Sequence, residues 1–484
     1  MGCSWSQSDP GDAEALHRAV EALTHEVRVL RKRLDASAHD VDTSQVSAPG
    51  QVDMQASMSR QASFASSEPR RLGATTAVCP STRAGFLVPG QVEALDSPPT
   101  SPPARVSALF KNLPAVQPYV TNVSSVKPLD GAPPRGATHM FRQNICTDQW
   151  VVIATVMGAK PRSYVPPPRP DETHTRPCYL SSCPFCKGNE PMCEANAEPP
   201  VLNSLAADSR DGRWVIRVLR NKFPYVNPEG DAELTFDGIH PQITAVGRHE
   251  VIIEHDSHNM CMALYDEQHV HAVLLCMQRR GVALSSDPRI TYIMYIQNHG
   301  ARAGGSLHHP HLQIIALPLV PSRMAQRFSV TKKLWEMRGT CCFCAMIAQE
   351  LEQASRIVCQ NQHFIAFVPF APQCSHHVWV LPLRHCHSFL EATQEELRAC
   401  GEVLQLVLRK IYNGFRDPDY NLAIRSAPVV KEGLDICCYH HWYITLRPHL
   451  SEDANFKAFE MAISSILPEA AAEELRGFSV LRPQ

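Results

Sequence analysis

Short apolar runs separated by polar turns fill the chain from about residue 140 onward, and they predict a folded region rich in β-strands. The runs lie at residues 148–154, 213–219, 250–254, 290–297, 377–381 and 420–424. Residues 267–279 have a weaker pattern that is typical of a helix. Because the intervening helices are too few for a doubly wound parallel sheet, we predict an α+β fold with mainly antiparallel strands.

The first 135 residues lack this pattern. Residues 36–75 are rich in Ser, Ala and Gln, and residues 80–134 contain 11 prolines, so we predict a disordered tail over residues 1–135. Residues 12–35 within it are predicted to form a short coiled-coil helix that dimerises, because their apolar residues alternate spacings of four and three. These residues are Leu16, Val20, Leu23, Val27, Leu30 and Leu34. A marginal amphipathic helix is the alternative.

The extreme N-terminus carries a pattern for lipid attachment. Gly2 and Ser6 fit the rule for N-myristoylation, and Cys3 offers a site for the second acyl chain that stable anchoring requires. An unmodified N-terminus is the equal alternative. Because the start of the chain lacks the basic and apolar segments of a secretory signal, we expect a cytoplasmic protein, membrane-associated if it is acylated.

Charge and cysteine content narrow the function classes. The 46 basic and 48 acidic residues leave a net charge of −2, which provides no electrostatic basis for bulk nucleic-acid binding. No run of about 18 uncharged apolar residues occurs, so no transmembrane span is predicted. In a chain without a secretory signal, the 18 cysteines indicate metal binding before disulfides.

The folded region contains one order of motifs twice. Two cysteines separated by two residues are followed by a strand, by a histidine and then by a second segment with histidines. A repeat of this kind indicates an internal duplication. We therefore predict two related halves with a histidine-triad-like fold, residues 136–330 and residues 331–484, behind the tail.

Each half offers four side chains of the types that zinc prefers. In the first half they are Cys183, Cys186, His258 and His309. In the second half they are Cys341, Cys344, His385 and either His440 or His441, with Cys342 as a competing thiol. Because four protein ligands leave no position for water, we predict a structural zinc site in the first half and a possible second one. Unmetallated thiols are the alternative.

The histidine run of the first half predicts the chemistry. Because side chains alternate along a strand, His309, His311 and Gln313 should share one face, just after a Gly/Ser-rich turn whose N–H groups can approach a phosphate. If His309 binds metal, His311 is free to attack phosphorus, while Gln313 donates to the phosphoryl oxygen. Alternatively, His311 activates water as the general base of a hydrolase.

These motifs resemble the galactose-1-phosphate uridylyltransferase family, within the histidine-triad superfamily, over about residues 139–484. The resemblance rests on the first cysteine pair, residues 220–224, 247–251 and 298–306, and the histidine run. It implies that UDP-glucose uridylylates His311, that glucose 1-phosphate leaves, and that a hexose 1-phosphate such as galactose 1-phosphate takes the nucleotide. It also implies a homodimer and a set of contacts to the nucleotide and its phosphates. Those contacts are Asn221, Asn298, Gly304 and Ser306.

The second cysteine pair is similar to a plant-type branch that includes an ADP-glucose phosphorylase, in which inorganic phosphate resolves the histidine intermediate. Met157 and Lys160 stand where the family has phosphate-contacting arginines, and Ala458-Phe459-Glu460 replaces a Gly-aromatic-Glu motif. The usual sugar-contacting glutamine beyond that motif also has no clear counterpart. We predict a UDP-glucose–hexose-1-phosphate uridylyltransferase. The alternatives are a nucleotide-sugar phosphorylase and a catalytically weak nucleotide-binding module.

Overall fold

The computed structural model describes residues 139–155, 172–194, 201–205, 215–429, 435–450 and 461–481. The predicted tail, its coiled-coil helix and the acylation site at Gly2 and Cys3 lie outside these residues. The same holds for Met157, Lys160 and residues 458–460. The interpretations that rest on these positions, and the expected dimer, therefore stay predictions.

One large sheet and two small ones make up the strands of the described region. In chain order the strands are β1 (His139–Asn144), β2 (Gln149–Ala154), β3 (Val201–Leu205), β4 (Ile216–Arg220), β5 (Leu234–Asp237), β6 (His240–Ile243), β7 (Arg248–Ile253), β8 (Tyr292–His299), β9 (His311–Leu317), β10 (Ile357–Gln360), β11 (Phe364–Phe367), β12 (Val378–Pro382), β13 (Tyr420–Arg425), β14 (Tyr443–Pro448) and β15 (Ala462–Ser464). The helices are α1 (Pro191–Glu194), α2 (Glu267–Ser285), α3 (Ser322–Arg338), α4 (Cys342–Gln353), α5 (Gln394–Phe415), α6 (Ile436–Tyr439) and α7 (Pro468–Gly477).

The large sheet has ten strands in the order β10-β11-β12-β14-β13-β8-β9-β7-β4-β3, and all neighbouring strands are antiparallel. The order is symmetric about the β13–β8 pair. Each half contributes five strands, and β7, β9 and β8 of the first half correspond to β12, β14 and β13 of the second. The predicted duplication is thus built as two five-stranded units joined edge to edge.

The two long helices cover one face of this sheet. Helix α2 begins at Asp266, which accepts a hydrogen bond from His269 N, and α5 begins with a capping box between Thr393 and Glu396. The helices pack against each other, and their apolar faces share one core with strands of both halves. Since burial of apolar surface drives folding, this shared core couples the halves.

The α+β fold with mainly antiparallel strands is confirmed, but some elements differ from the prediction. Helix α2 extends to Ser285, and α3 and α4 were not predicted. The predicted boundary at residue 330 falls within α3. Strand β9 begins at His311, so His309 precedes the strand and does not belong to it. Across the described ranges, no helix is both long and apolar enough to cross a bilayer.

Candidate active site and metal centres

The first predicted metal group comes together as expected. The ligand atoms of Cys183, Cys186, His258 and His309 lie within 4.8 Å of one another, and all four residues are buried. The Sγ of Cys186 is 3.6 Å from Nδ1 of each histidine. His309 donates its Nε2–H to the carbonyl of His255 at 2.8 Å, which orients Nδ1 toward the thiols. Two thiols and two oriented imidazoles are compatible with tetrahedral zinc.

The second group brings together Cys341, Cys344, His385 and His441, also within 4.8 Å. The first cysteine pair lies in a turn, whereas this one lies at the start of α4. His385 donates its Nε2–H to the carbonyl of Cys437 at 2.7 Å, and His441 donates to that of Pro382 at 2.8 Å. This group is likewise compatible with zinc.

The structure shows which of the competing residues, His440, His441 and Cys342, belongs to the second metal group. The ring of His440 packs at 4.8 Å from Phe328 and 5.6 Å from Phe343, and neither of its nitrogens has a partner among the described residues. Burial lowers the pKa of His440 to about 3, so its ring is neutral. The Sγ of Cys342 is 3.3 Å from that of Cys146. His441 is therefore the ligand candidate, and Cys342 and His440 belong to the core.

His311 stands at the first position of β9 with a defined tautomer. Its Nδ1–H donates to the carbonyl of His309 at 2.8 Å, so Nε2 keeps its lone pair. The edge of Phe185, from the first cysteine pair, packs on the ring at 5.3 Å. Burial lowers the pKa of His311 and favours the neutral form. A neutral, oriented imidazole is a competent nucleophile toward phosphorus.

Gln313 lies two residues further along the same strand and is oriented by His249. The Nδ1 of His249 accepts a hydrogen bond from Tyr225 N at 3.2 Å, so the proton of the neutral ring is on Nε2. That Nε2–H donates to Gln313 Oε1 at 2.7 Å, and Asn221 Nδ2 lies 3.5 Å from the same oxygen. Since Oε1 is occupied, the amide N–H groups of Gln313 remain for a phosphoryl oxygen.

The predicted phosphate turn between β8 and β9 is held by the second half of the chain. Asn421 on β13 donates to Asn298 Oδ1 and to the carbonyl of Ala303, both at 2.8 Å. Gly304 has φ +87°, which L side chains rarely adopt, and a Cβ at Gly305 would approach the carbonyl of Asn298 to 2.6 Å. Ser306 is exposed. The turn therefore depends on contacts across the β8–β13 junction.

A cleft next to His311, which we call the nucleophile cleft, contains Arg176 and His299, which the sequence analysis missed. Its lining residues are Arg176, Gln297, Asn298, His299, Gly300, Leu307, His308, His309, Pro310 and His311. His299 donates its Nε2–H to Asp417 at 2.7 Å. Thr173 donates to the same carboxylate and accepts from Arg176 at 3.3 Å. These residues lie far apart in sequence, so no spacing signalled them.

The carboxylates near this cleft differ in charge. Burial opposes ionisation of Asp417, but hydrogen bonds from His299 and Thr173 outweigh burial and lower the pKa of this carboxyl. Glu254, which is fully buried, accepts from Gln297 Nε2 at 2.6 Å, yet burial raises its pKa to about 8. Asp417 thus holds His299 and, through Thr173, Arg176 in place as an anion, whereas Glu254 is a neutral acid below the cleft at pH 7.

Comparison with known proteins finds relatives of this chain. The HIT domain profile matches residues 350–432, and a profile named DUF4931 N-terminal domain matches residues 240–320. The chain is 28% identical to the ADP-glucose phosphorylase of Arabidopsis thaliana over 354 residues, which cover 72% of this chain and 96% of that protein. It is 26% identical to the galactose-1-phosphate uridylyltransferase of Thermotoga maritima over 348 residues, 69% of this chain and 97% of that one.

Solved structures agree with the sequence matches. The crystal structure of the Arabidopsis thaliana ADP-glucose phosphorylase with bound ADP-glucose superposes with a TM-score of 0.59 at 26% identity, covering 70% of this chain and 99% of that one. The chain is similar, over about 70% of its length, to galactose-1-phosphate uridylyltransferases and to an ADP-glucose phosphorylase, and part of it matches the HIT domain profile.

Proposed function

We propose that the protein is a nucleotidyltransferase that acts on a nucleotide sugar by double displacement through His311. The observation that carries this proposal is the tautomer of His311. Its Nδ1–H is held by the carbonyl of His309, so the lone pair of Nε2 is available beside a cleft that contains Arg176 and His299. A base that only activates water would not need the guanidinium and imidazole N–H donors of this cleft placed for several phosphoryl oxygens.

In the first step, Nε2 of His311 attacks the α-phosphorus of the nucleotide sugar. A P–N bond forms, the bond from the α-phosphorus to the bridging oxygen breaks, and the sugar 1-phosphate leaves with the electron pair. The amide N–H groups of Gln313, free because Oε1 accepts from His249, donate to the phosphoryl oxygen as its charge grows. Arg176 offsets the negative charge of the phosphates, and His299 lines the cleft beside it.

In the second step, an oxygen of the acceptor phosphate attacks the nucleotidyl phosphorus and the P–N bond breaks. The electron pair returns to Nε2, which regenerates neutral His311. With inorganic phosphate as acceptor, the net reaction converts ADP-glucose and phosphate to ADP and glucose 1-phosphate. With a hexose 1-phosphate as acceptor, the products are a new nucleotide sugar and glucose 1-phosphate.

The two metal groups serve this chemistry through structure. Zinc held by Cys183, Cys186, His258 and His309 would fix the segment that precedes β9, and so would fix the carbonyl of His309 that sets the tautomer of His311. When bound, the metal supplies charge neutralisation and cross-linking of the four ligands and does not take part in phosphoryl transfer.

The second metal group favours the phosphorylase reaction over the uridylyltransferase reaction that the sequence led us to expect. The convergence of Cys341, Cys344, His385 and His441 supports the plant-type resemblance, and so does the similarity to ADP-glucose phosphorylase over 96% of its length. We therefore propose ADP-glucose and inorganic phosphate as the first substrate pair to test. UDP-glucose and galactose 1-phosphate remain the second candidate pair, supported by the similarity to the Thermotoga maritima enzyme.

The test is a labelling and chase experiment. Zinc-loaded protein is incubated with ADP-glucose or UDP-glucose, each radiolabelled at the α-phosphate, without an acceptor, and acid-labile label on the protein is measured. We expect label from ADP-glucose that inorganic phosphate releases as ADP. Label from UDP-glucose that galactose 1-phosphate removes would favour the uridylyltransferase reaction instead. No label from either nucleotide at full zinc content would favour a binding module and contradict the proposed function.

A further inference from the structure

The duplication gives the C-terminal half a second cleft, whose lining includes His377, Arg425 and Thr445, the residues that correspond to His249, Asn298 and Gln313 of the first half. In the first half, Ile296 on β8 pairs with Gln313 on β9. In the second half, Ala423 on β13 pairs with Thr445 on β14. Tyr443 therefore takes the position of His311, because each lies two residues before the paired residue on its strand.

The same register assigns the residue that replaces Asn298. Asn298 lies two residues beyond Ile296 on β8, and Arg425 lies two residues beyond Ala423 on β13. A position that the family resemblance assigns to phosphate contact in the first half thus carries a permanent positive charge in the second half. Arg425 can therefore bind an oxyanion in the half where Tyr443 replaces the nucleophile.

The histidine that contacts the polar residue on the strand is present in both halves. Nδ1 of His377 accepts a hydrogen bond from Gln373 N at 3.1 Å, and its Nε2 lies 2.7 Å from Thr445 Oγ1 and 3.2 Å from the indole nitrogen of Trp379, which donates to it. The contacts with Gln373 N and Thr445 repeat those of His249 with Tyr225 N and Gln313. The second half therefore repeats the framework around Gln313, with Tyr443 in place of the nucleophile.

The second cleft is positively charged. Arg327, from α3, and Arg425 line it together with polar residues that include Asn144, Thr147 and Gln149. None of the described residues that line it is Asp or Glu. Its open volume, with the mouth included, is about 300 Å³. We call this site the C-terminal cleft.

The arginines of the C-terminal cleft are poorly compensated. The Nε of Arg425 is buried and has no hydrogen-bond partner among the described residues, and its Nη1 reaches only the sulfur of Met324, at 3.9 Å. Arg327 donates to the hydroxyl of Tyr443 at 2.8 Å, and the nearby Arg447 donates to Gln373 at 3.4 Å. These partners are neutral. Charges removed from water without a counterion destabilise the folded chain.

The positive charges of Arg327, Arg425 and Arg447 also change the pKa values of neighbouring groups. Burial lowers the pKa of Arg425, and the positive charges of Arg327 and Arg447 lower it further. Burial and the same three arginines lower the pKa of His377. The hydroxyl of Thr147 adds a buried group that has no partner in the described part of the chain. An anion in the cleft would offset the charge and give Arg425 and Thr147 their missing acceptor.

We propose that the C-terminal cleft is a non-covalent binding site for a phosphate group, held by Arg327, Arg425 and Thr147. No covalent step takes place there, because Tyr443 replaces the histidine and its hydroxyl accepts from Arg327. The ligand class is a phosphate dianion, either inorganic phosphate or the phosphate of a sugar 1-phosphate. The site lies outside the nucleophile cleft, so it does not depend on the proposed reaction.

The test measures the stoichiometry of phosphate binding to the zinc-loaded full chain. Radiolabelled inorganic phosphate is added in equilibrium dialysis to wild type, Arg425→Gln, Arg327→Gln and the matched control Arg398→Gln, whose arginine is exposed on α5. We expect the cleft variants to lose one bound phosphate per chain or to weaken it at least about tenfold, and the control to match wild type. Wild-type binding by both cleft variants would overturn the proposal.

Two further arms keep the outcome interpretable. Competition with glucose 1-phosphate distinguishes the two phosphate sources, because only a site that accepts a sugar phosphate will release the label. If the glutamine variants do not fold, phenylglyoxal modification of wild type followed by peptide mass spectrometry replaces them. Phosphate should then protect Arg425 and Arg327 from modification and leave Arg398 reactive. Equal modification of Arg425 and Arg327 with and without phosphate would contradict the proposal.

Discussion

The two halves of the folded region share a framework and differ in the side chains that carry chemistry. Both halves have a Cys-x-x-Cys group with two histidines, and both have a histidine that is hydrogen-bonded to a polar residue on the central strand. The first half then has His311, Gln313 and Asn298, where the second has Tyr443, Thr445 and Arg425. The metal group and the orienting histidine thus belong to the fold, whereas the nucleophile is an addition to one copy.

The two halves also differ in the residues that are buried behind the histidine segment. In the first half, the buried pair of Glu254 and Gln297 lies behind the histidine segment. The corresponding strand end in the second half is apolar, with Leu381 and Pro382. Since a buried polar pair costs more free energy than apolar packing, its presence only in the half that carries His311 indicates a role linked to the site.

The largest effect is expected from the nucleophile and its counterpart. His311→Asn should lower turnover by at least about 10³-fold, because it removes the group that we propose forms the P–N bond. Tyr443→Phe should stay within about twofold of wild type, since no covalent step uses this position. Steady-state assays with the nucleotide sugar identified by labelling will compare the two. Similar losses in both variants would mean that the halves do not differ as described.

A smaller effect is expected at the polar residue that lies two positions further along each strand. Gln313→Ala should lower kcat by about 10²- to 10³-fold, since a donor to the developing phosphoryl charge is lost. Thr445→Ala removes a hydrogen-bond partner of His377 in the other half and should affect thermal stability more than kcat. Kinetics and melting curves of both variants check the comparison. An unchanged kcat in Gln313→Ala would remove that residue from the mechanism.

The metal groups allow a third comparison. Wild type should hold two zinc ions per chain, and Cys183→Ser and Cys341→Ser should each hold one. We expect Cys183→Ser to lose at least about tenfold in activity beyond the loss in Cys341→Ser, because His309 shares a peptide segment with His311. Atomic absorption together with activity assays measures both quantities. One zinc ion per wild-type chain would contradict the assignment of the second metal group. No zinc in wild type would contradict the assignment of both groups.

The smallest effect concerns the pH dependence of stability at Glu254. Its pKa in the folded chain is raised to about 8 from an ordinary 4.5, so the folded state keeps a proton that the unfolded state loses above pH 4.5. The contribution of Glu254 to stability therefore falls as the pH rises from about 4.5 to 8. Glu254→Gln should match wild type at pH 5 and exceed its free energy of unfolding at pH 8 by on the order of 3 kcal/mol. Urea unfolding at both pH values checks this sign, and a variant less stable at pH 8 would show the carboxyl to be ionised.

The sequence predicted the parts of the site that lie close together in the chain. Local spacing was enough to predict His311, Gln313 and the glycine turn. The two cysteine pairs were enough to predict the two metal groups. The choice between His440 and His441 needed the structure, because adjacent residues point to opposite sides and only packing against Phe328 and Phe343 identifies the core histidine.

Long-range pairing accounts for what the sequence could not predict. The junction of β8 with β13, the bond from Asn421 to Asn298, and the cluster of Thr173, Arg176 and Asp417 join segments more than 100 residues apart. No local periodicity records such contacts. The strand boundary at His311 was missed for a different reason, since Pro310 cannot donate to the sheet and the regular pairing begins after it.

The central claim is that the first half alone carries the covalent chemistry, at His311. The most direct measurement is mass spectrometry of the protein after incubation with ADP-glucose or UDP-glucose without acceptor, followed by peptide mapping of the adduct. We expect one nucleoside monophosphate per chain, attached to the peptide that contains His311, and none in His311→Asn. An adduct on another residue, or an unmodified protein that still turns over the nucleotide sugar, would contradict it.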